Sequence, residues 1–367
     1  MSLTKKEISI KNLKYNLEQI KRSMPNKKIC AMVKANAYGH GVVETVNAIK
    51  GEIDFFGVAN LAEALEIRKF CHNNILIVGV VEDYITAIEN DISFAIHSKN
   101  EMIRLIKIMN NYANSKKARI HIKINSGMNR FGVKSISEFR EILRLINERI
   151  ELEGVFTHFS TVGSDQDIFN FQARKFNNFL KELPNNISPI VHVGGSGIVL
   201  ASNNCVKSKM PYVVPSVKPN FDMFRVGIML YGYGDNGFLN LKKVMKIKTH
   251  IVQIQNVKKG EFVGYGTSFK AEKDMTVGIV PVGYADGLSR KLSNIGSVKL
   301  KLFDGEKYCL KTCRIIGNIC MDLAFIDLTG VDLASIKYVL ILDDADKMAK
   351  KIGTISYEIL TNFNKLR

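Results

Sequence analysis

The chain has 367 residues, 46% of them hydrophobic, and its 52 Lys and Arg against 35 Asp and Glu give a formal net charge of +17. This length is sufficient for two domains, and the mixed composition is that of a soluble globular protein without an apolar run of membrane-spanning length. The lysines are spread through the whole sequence and form neither an arginine stripe nor a basic patch interleaved with aromatic residues. We therefore expect neither nucleic acid nor a membrane as a partner.

The six cysteines are scattered, and they form no C-x-x-C pair and no cluster with histidine at zinc spacing. Reduced thiols in the cytoplasm are the simplest interpretation, and no metal site is predicted. The first ten residues, MSLTKKEISI, lack the apolar core of a secretory signal, which also favours a cytoplasmic location.

The first apolar run of strand length, ICAMVK at 29–34, ends on the single charged residue Lys34. A continuous apolar run of this kind is typical of a buried parallel strand. The catalytic groups of parallel α/β folds lie at the carboxyl ends of such strands. Lys34 is therefore a candidate catalytic residue. The alternative is a lysine that merely ends the strand and reaches solvent, as most lysines do.

Seven further runs of strand length follow, at 54–59, 75–80, 92–96, 119–125, 153–158, 190–193 and 224–229. Segments of helical period lie between them, beginning near Val42, Asn60, Asn100, Ser135 and Gln172. Eight strands alternating with helices predict a (β/α)8 TIM barrel, and the count of eight favours it over an open doubly wound sheet.

The pattern changes after Gly234. Alternating or apolar segments with Gly and Asp between them predict a C-terminal, mainly antiparallel β domain, at 244–257, 261–265, 275–282, 297–302, 307–316, 323–328 and 337–342. The glycine-rich connector Tyr231–Leu241 predicts the boundary, with the barrel at 1–234 and the β domain at 235–367. The early segment ISIKN (8–12) is expected to add a strand to the β domain.

Polar residues, and the pair Gly227–Ile228 with its backbone N–H groups, accompany the carboxyl ends of several predicted strands, and barrel geometry brings such residues to one rim. They are Lys34, Lys123, Arg130, His158, His192, Ser196, Arg225, Gly227 and Ile228. Each has a structural explanation by itself, such as a hydrogen-bonded histidine or a salt-bridged arginine. Their convergence predicts a site.

The chemistry open to this rim is that of an aldehyde cofactor. A lysine preceded by an apolar strand can form a Schiff base, because burial keeps its amine neutral and nucleophilic. Backbone N–H groups at Gly195–Ser196 and Gly227–Ile228, with the Ser196 hydroxyl, are suited to a phosphate. A guanidinium at a pyridine nitrogen, with Arg225 as the candidate, would disfavour protonation of that nitrogen and suit proton exchange at Cα better than transamination.

The β domain contributes a second set of candidates. Tyr265 lies between Gly264 and Gly266, and the motifs VGYADG (282–287) and GNICMD (317–322) follow. On the residues alone, an aromatic on a surface hairpin is the better explanation of Tyr265. Two-base racemisation needs one base on each face of a planar centre, and Lys34 supplies only one, so Tyr265 is the candidate for the other.

Nine motifs in order resemble the alanine racemase family from one end of the chain to the other. They are VKANAYGHG (33–41), KINSGMNRFGV (123–133), THFS (157–160), HVGGS (192–196), RVGIMLYG (225–232), GYGTSF (264–269), GYADG (283–287), GNICMD (317–322) and TISYE (354–358). The resemblance implies pyridoxal 5′-phosphate as cofactor and a homodimer with shared active sites. Lys34 is implied as the Schiff-base lysine and the base for the D-isomer, and Tyr265 of the partner subunit as the base for the L-isomer.

The resemblance also implies binding roles. Arg130, held by a Lys123 that is carbamylated in some members, would bind the cofactor's phenolic oxygen and the substrate carboxylate, which Met321 of the partner subunit would also contact. The cofactor ring would meet His158 and Arg225, with His192 supporting Arg225. The implied phosphate ligands are Tyr38, Ser196, Gly227, Ile228 and Tyr357, and the implied supporting residues also include Tyr284 and Asp322.

The function implied is interconversion of L- and D-alanine, supplying D-alanine for peptidoglycan synthesis. A racemase for serine, lysine or a broad range of amino acids on the same scaffold is the alternative. A decarboxylase of this fold type would not call for the second base, and a single-barrel pyridoxal-phosphate protein would end after the barrel. Gly195 replaces a frequent asparagine and Asn318 a frequent arginine of the family, which bears on substrate range more than on reaction type.

Overall fold

The computed structural model describes residues 3–161, 165–195, 198, 221–234 and 238–366. These residues form two compact units. One unit comprises Leu13–Ala37 and Val42–Leu241, and the other comprises the described residues up to Asn12, the segment Tyr38–Gly41 and the chain from Lys242 onward. The domain boundary at residue 234 stays a prediction.

The first unit contains a closed barrel of eight strands, numbered along the chain after an initial strand, β1 (Lys5–Ile8), that belongs to the other unit. The barrel strands are β2 (Lys28–Met32), β3 (Phe55–Val58), β4 (Asn74–Ile77), β5 (Ile92–Ile96), β6 (Ala118–Lys123), β7 (Ile150–His158), β8 (Ile190–Gly194) and β9 (Met223–Val226). Neighbouring strands are parallel, and β9 pairs with β2 to close the barrel. The predicted (β/α)8 barrel is confirmed.

The strands are apolar because both of their faces are covered, so that all five residues of β5, for example, are buried. The helices around them are α1 (Ile10–Ser23), α3 (Val42–Ile49), α4 (Leu61–Arg68), α5 (Tyr84–Glu89), α6 (Lys99–Asn110), α7 (Ile136–Arg144) and α8 (Gln166–Leu180), and the short element α2 (Lys34–Tyr38) is a turn with left-handed backbone angles. Helices α4 and α7 begin where helical segments were predicted, and Asn60 and Ser135 cap them by accepting from backbone N–H groups. Helix α8 begins six residues earlier than Gln172, because Asp165 caps it.

The initial strand differs from the expectation. It ends at Ile8, where Lys5–Ile8 pairs antiparallel with a strand of the carboxyl-terminal sheet, and the segment from Ile10 onward begins α1 instead of extending the strand. Leu13, Leu17 and Ile20 recur at helical spacing and are fully buried, so the amphipathic period decides the structure here.

The second unit is built on an eight-stranded sheet in the order β1-β10-β18-β15-β16-β17-β14-β11 with antiparallel pairing between neighbours, beside a small hairpin of β12 and β13. Its strands are β10 (Met245–Thr249), β11 (Gln253–Val257), β12 (Phe262–Val263), β13 (Phe269–Lys270), β14 (Met275–Val280), β15 (Ser297–Phe303), β16 (Tyr308–Ile316), β17 (Ala324–Asp327) and β18 (Ile336–Leu342). Two helices, α9 (Ala345–Ile352) and α10 (Ser356–Asn362), end the chain. The predicted antiparallel β domain is confirmed.

A membrane-crossing helix is not found in the described part of the chain, since none of its helices combines the necessary length with the necessary apolar character.

Candidate active site

Lys34 lies two residues beyond the end of β2 and begins a turn with an unusual backbone. Ala35, Asn36, Ala37 and Tyr38 all have left-handed backbone angles, with φ between 52° and 55°. For residues other than glycine this conformation costs about 1–2 kcal/mol each, so the surroundings must hold it in place. Ala35 N donates to Glu63 Oε1 at 2.8 Å, and the Asn36 side chain accepts from the backbone of Val42 at 2.6 Å. The turn thereby positions the lysine at the carboxyl end of its strand.

Four basic side chains influence one another at this rim. The pKa of Lys34 is lowered by burial first, then by Arg130 and Arg225, with Glu63 acting in the opposite direction. Burial and the same two arginines, with Lys34, lower the pKa of Lys123 to about 7. An amine whose pKa is lowered is more often neutral, which is the form that acts as a nucleophile or a base. The rim therefore combines charged arginines with lysines that lose their protons easily.

Arg225 on β9 is held rigidly beneath this rim. Its Nη1 donates to Nδ1 of His192 at 2.6 Å, and its Nη2 donates to the backbone oxygen of Thr157 at 2.6 Å. The guanidinium also lies over the ring of Phe156, with its central carbon 4.6 Å from the ring centroid. Burial lowers the pKa of Arg225 to about 10, so the group stays charged at neutral pH.

His158 is neutral in this setting. Burial, and then the charges of Arg225, Arg130, Lys123 and Lys34, lower its pKa to about 3. The ring therefore adds no positive charge to the rim at neutral pH. It offers a flat surface with one donor and one acceptor nitrogen.

Gly227 and Ile228 lie where β9 ends. Gly227 precedes a one-turn 3-10 helix, Ile228–Tyr231, and the Tyr231 hydroxyl donates to the backbone oxygen of Met32 at 3.1 Å, tying this turn to β2. The first N–H groups of a helix have no acceptor within it, which suits an anion. Ser196, the predicted phosphate hydroxyl, lies outside the described residues.

Tyr265 lies in the second unit, and its side chain is 72% exposed. Gly264 and Gly266 on either side have φ of 77° and 68°, angles that favour glycine. Asn318 Nδ2 donates to the Tyr265 backbone oxygen at 2.8 Å. Asn318, which replaces an arginine frequent in the family, therefore supports the turn that presents the Tyr265 phenol.

The motifs that contain Tyr284 and Met321 lie side by side in the same unit. Tyr284 N donates to the oxygen of Cys320 at 3.1 Å, and Ala285 N donates to the oxygen of Met321 at 3.0 Å. A Cβ at Gly283 would collide with these two carbonyl groups, so the close approach requires glycine. Met321 is 54% exposed and Tyr284 41%, and Asp322 is exposed beside them.

Tyr38 and Tyr357 are also neighbours in the second unit. Their ring centroids lie 5.9 Å apart, with an angle of 52° between the ring planes. Gly39 contacts the backbone of Leu360 so closely that a Cβ there would collide with it. The two predicted phosphate ligands are therefore brought together, although 319 positions separate them in the sequence.

The structure thus gathers the predicted rim residues Lys34, Lys123, Arg130, His158, His192 and Arg225 through contacts and mutual electrostatic effects. The sequence interpretation missed His121 and Glu153, which extend the contacts of His192 into the barrel. The signal for His121 was available: it precedes Lys123 by two positions on β6, and alternate residues of a strand share a face. No local pattern pointed to Glu153.

Two family models match the chain and together cover most of it. The one described as alanine racemase, N-terminal domain, matches residues 8–235, and the one described as alanine racemase, C-terminal domain, matches residues 244–367. Among curated proteins, alanine racemase 1 of Clostridium acetobutylicum is 34% identical over 385 aligned positions, which cover 98% of this chain and 92% of the relative.

Solved structures share the fold. An alanine racemase of Clostridium difficile 630 matches with a TM-score of 0.84 and 30% identity, over 98% of this chain and 93% of that one. A crystal structure of alanine racemase from Bartonella henselae with covalently bound pyridoxal phosphate matches with a TM-score of 0.83 and 24% identity, over 100% of this chain and 99% of that one. At the latter identity the likeness is one of fold.

Proposed function

The chain belongs to the alanine racemase family of pyridoxal-phosphate-dependent isomerases, and from this premise we propose that Lys34 and Tyr265 are the two bases with which it interconverts L- and D-alanine. The observation that carries the proposal is Lys34 itself. It lies just beyond the end of the buried strand β2, among cationic groups that, together with burial, lower the pKa of its amine. The D-alanine formed would supply peptidoglycan synthesis, and the cytoplasm is the location we propose for it.

The rim residues fit pyridoxal phosphate, an anionic group with a reactive aldehyde. The guanidinium groups of Arg130 and Arg225 provide the positive charge that attracts the anionic cofactor. Lys123 and His158 have lowered pKa values and add less positive charge. When bound, the cofactor withdraws electrons from the substrate's Cα–H bond and makes that proton acidic. Lys34 would hold the cofactor at its aldehyde carbon.

The remaining cofactor contacts follow from the same rim. Arg130 would bind the phenolic oxygen, and Arg225 the ring nitrogen. Gly227 and Ile228 offer N–H groups to the phosphate. Ser196, Tyr38 and Tyr357 stay predicted phosphate ligands, and Tyr284 and Asp322 stay predicted supporting residues.

Lys34 moves a proton at one face of the substrate Cα. A neutral amine accepts the proton of D-alanine at that face, and the protonated amine returns a proton to the same face in the reverse reaction. Burial and the neighbouring arginines favour the neutral form, so the lysine is ready to act as a base.

Tyr265 moves a proton at the opposite face. In one chain its phenol is 72% exposed, at the tip of a turn that Asn318 supports. We propose that it enters the barrel mouth of a second copy, together with Met321, which is 54% exposed and would contact the substrate carboxylate. A homodimer with two shared sites follows, since each copy supplies the lysine of one site and the tyrosine of the other.

The charge of Arg130 lowers the pKa of Lys123 most after burial, and Arg225 and Lys34 act in the same direction. A neutral amine adds to carbon dioxide to give a carbamate and releases one proton. The pKa of about 7 makes Lys123 a suitable amine for this reaction. The carbamate would give Arg130 an anionic partner and orient it toward the substrate carboxylate.

The proposal is tested with the purified protein and added pyridoxal phosphate, by following the optical activity of L-alanine, D-alanine, L-serine and L-lysine. Turnover of both alanine isomers at the highest kcat/KM is expected. Faster turnover of serine or lysine would favour the alternative substrate range, and absence of turnover of any of them would refute the racemase assignment.

The shared site is tested by complementation. Lys34→Ala and Tyr265→Phe chains with different tags are produced together, so that mixed dimers form. Each mixed dimer contains one site with both bases intact, and random mixing should restore about one quarter of the wild-type activity to two inactive variants. Sites built within a single chain would give no recovery.

A further inference from the structure

A chain of hydrogen bonds leads from Arg225 into the barrel and ends on a carboxylate. Nη1 of Arg225 lies 2.6 Å from Nδ1 of His192, and Nε2 of His192 lies 2.8 Å from Nδ1 of His121. Nε2 of His121 lies 2.7 Å from Oε2 of Glu153. Both rings are fully buried, and the glutamate side chain is 13% exposed. The four residues come from the consecutive strands β6, β7, β8 and β9.

The donor and acceptor of each of these hydrogen bonds follow from the chemistry of Arg225 at one end and Glu153 at the other. A guanidinium can only donate, so Nδ1 of His192 must accept, and the proton of the neutral ring must lie on Nε2. His192 then donates to Nδ1 of His121, whose own proton lies on Nε2 and is donated to Glu153. An ionised carboxylate can only accept. One arrangement of protons therefore satisfies all four groups.

The protonation states agree with this arrangement. Burial is the main cause that lowers the pKa of both His121 and His192. Glu153 acts in the opposite direction on His121, but the pKa of that ring is still lowered overall, and Arg225 lowers the pKa of both rings, so both are neutral at neutral pH. Burial raises the pKa of Glu153, but the hydrogen bond from His121 contributes in the opposite direction and the pKa is lowered overall. Arg119, whose Nη1 lies 3.8 Å from Glu153 Oε1, is a positive neighbour that lowers this pKa further.

The backbone is shaped to bring Glu153 to His121. In the pairing of β6 with β7, Ile120 lies opposite Leu152 and His121 opposite Gly154, which leaves Glu153 as an extra residue. Such a bulge redirects side chains. At Gly154 a Cβ would collide with Nδ1 of His121, so the glycine leaves the space that the ring occupies.

We propose that Glu153, acting through His121 and His192, is a positioning residue that holds Arg225 charged and fixed at the barrel rim. It does so by setting the tautomer of His192, so that the ring always presents an acceptor to the guanidinium. The inference rests on the proposed function, in which Arg225 faces the ring nitrogen of pyridoxal phosphate and disfavours its protonation.

Three variants separate charge, hydrogen bonding and surface effects. Glu153→Leu removes the acceptor and the charge, whereas Glu153→Gln keeps the shape but can either donate or accept, so the direction of the chain is no longer enforced. Glu151→Gln is the matched control, because Glu151 is exposed on the same strand. The holoenzymes are compared by nitrogen NMR of the His121 and His192 rings, by the absorbance of the bound cofactor, and by kcat and KM for L-alanine.

In the wild type we expect both rings to be protonated on Nε2 alone. Glu153→Leu should give mixed tautomers, a shifted cofactor absorbance band and a kcat lower by on the order of 10-fold with KM nearly unchanged, the size of effect seen when supporting partners are removed. Glu153→Gln should give tautomers, an absorbance band and a kcat between those of the wild type and Glu153→Leu. Glu151→Gln should match the wild type in all three. If Glu153→Leu does not fold, the isosteric Glu153→Gln carries the comparison.

A wild-type His192 protonated on Nδ1 would overturn the proposal. So would Glu153 variants that unfold at a lower temperature but match Glu151→Gln in ring tautomers, absorbance and kcat, since that result means a purely structural role. A wild type that does not racemise alanine refutes the proposed function instead, and the tautomer measurement still tests Glu153.

Discussion

Gly194 leaves open the space that Arg225 occupies: a Cβ at Gly194 would collide with Nη2 of Arg225 and would lie 2.7 Å from Nδ1 of His158. The two residues are paired across the neighbouring strands β8 and β9. The absence of a side chain at one position thus allows a buried guanidinium and a neutral imidazole to lie together beneath the rim.

Replacing Gly194 with alanine should therefore destabilise the fold and displace the guanidinium. Overpacking of this kind costs about 1–3 kcal/mol of the free energy of unfolding, which urea titration measures. Gly51→Ala is the control, because nothing lies within 4 Å of its Cβ position. Equal unfolding midpoints for the two variants would contradict the close contact.

Lys34→Ala should lose the covalent attachment of the cofactor. Borohydride reduction of the wild type with pyridoxal phosphate should add the mass of the reduced cofactor to the peptide that contains Lys34. Lys28→Ala, which removes an exposed lysine from the start of the same strand, should label like the wild type. Cofactor label on another lysine of the wild type would show that this other lysine, and not Lys34, attaches the cofactor.

Tyr265→Phe should abolish racemisation but leave proton exchange at one face of the substrate. Loss of a positioned base typically lowers the rate by about 10²–10⁴-fold. In deuterium oxide the variant should still exchange the Cα proton of D-alanine, because Lys34 is the proposed base for that isomer, and exchange with L-alanine should be lost. Tyr308→Phe removes another exposed phenol, 58% exposed on β16, and should behave as the wild type. Normal racemisation by Tyr265→Phe would eliminate it as a base.

Acid should destabilise the folded chain through its buried neutral histidines. The pKa of His158 is lowered from 6.5 to about 3, so between these values the unfolded chain binds a proton that the folded chain does not. Stability contributed by this group therefore falls by about 1.4 kcal/mol for each unit that the pH decreases within that window. Urea unfolding at several pH values measures the slope, which His158→Gln should reduce. The same slope in both proteins would argue against a neutral His158.

The resemblance of the sequence motifs to alanine racemases is confirmed by the family matches. Both parts of the fold, the barrel and the antiparallel β domain, were also predictable from the sequence. Runs such as ICAMVK and ISFAI are strands because only continuous apolar segments can be buried on both faces of a barrel sheet. Lys34 was identifiable as the residue that ends such a run. Asn60 and Ser135 were recognisable as helix caps because capping depends on residues a few positions apart.

The early strand shows where local patterns conflict. ISIKN contains apolar residues that alternate, but the buried positions Leu13, Leu17 and Ile20 extend a helical period back to Ile10. The strand is therefore confined to Lys5–Ile8, where pairing with β10 supplies its hydrogen bonds. Pairing partners more than 200 positions away cannot be read from the segment itself.

By itself, the sequence determined the (β/α)8 barrel, the antiparallel β domain and the lysine that follows the first barrel strand, because hydrophobic period and capping act over a few neighbouring residues. Only the tertiary structure decided the left-handed turn from Ala35 to Tyr38 and the bulge that directs Glu153 to His121. Both cost free energy locally and exist only because distant strands and side chains hold them. For that reason the hydrogen-bond contacts from Arg225 to Glu153 can be recognised only when β6 to β9 lie side by side.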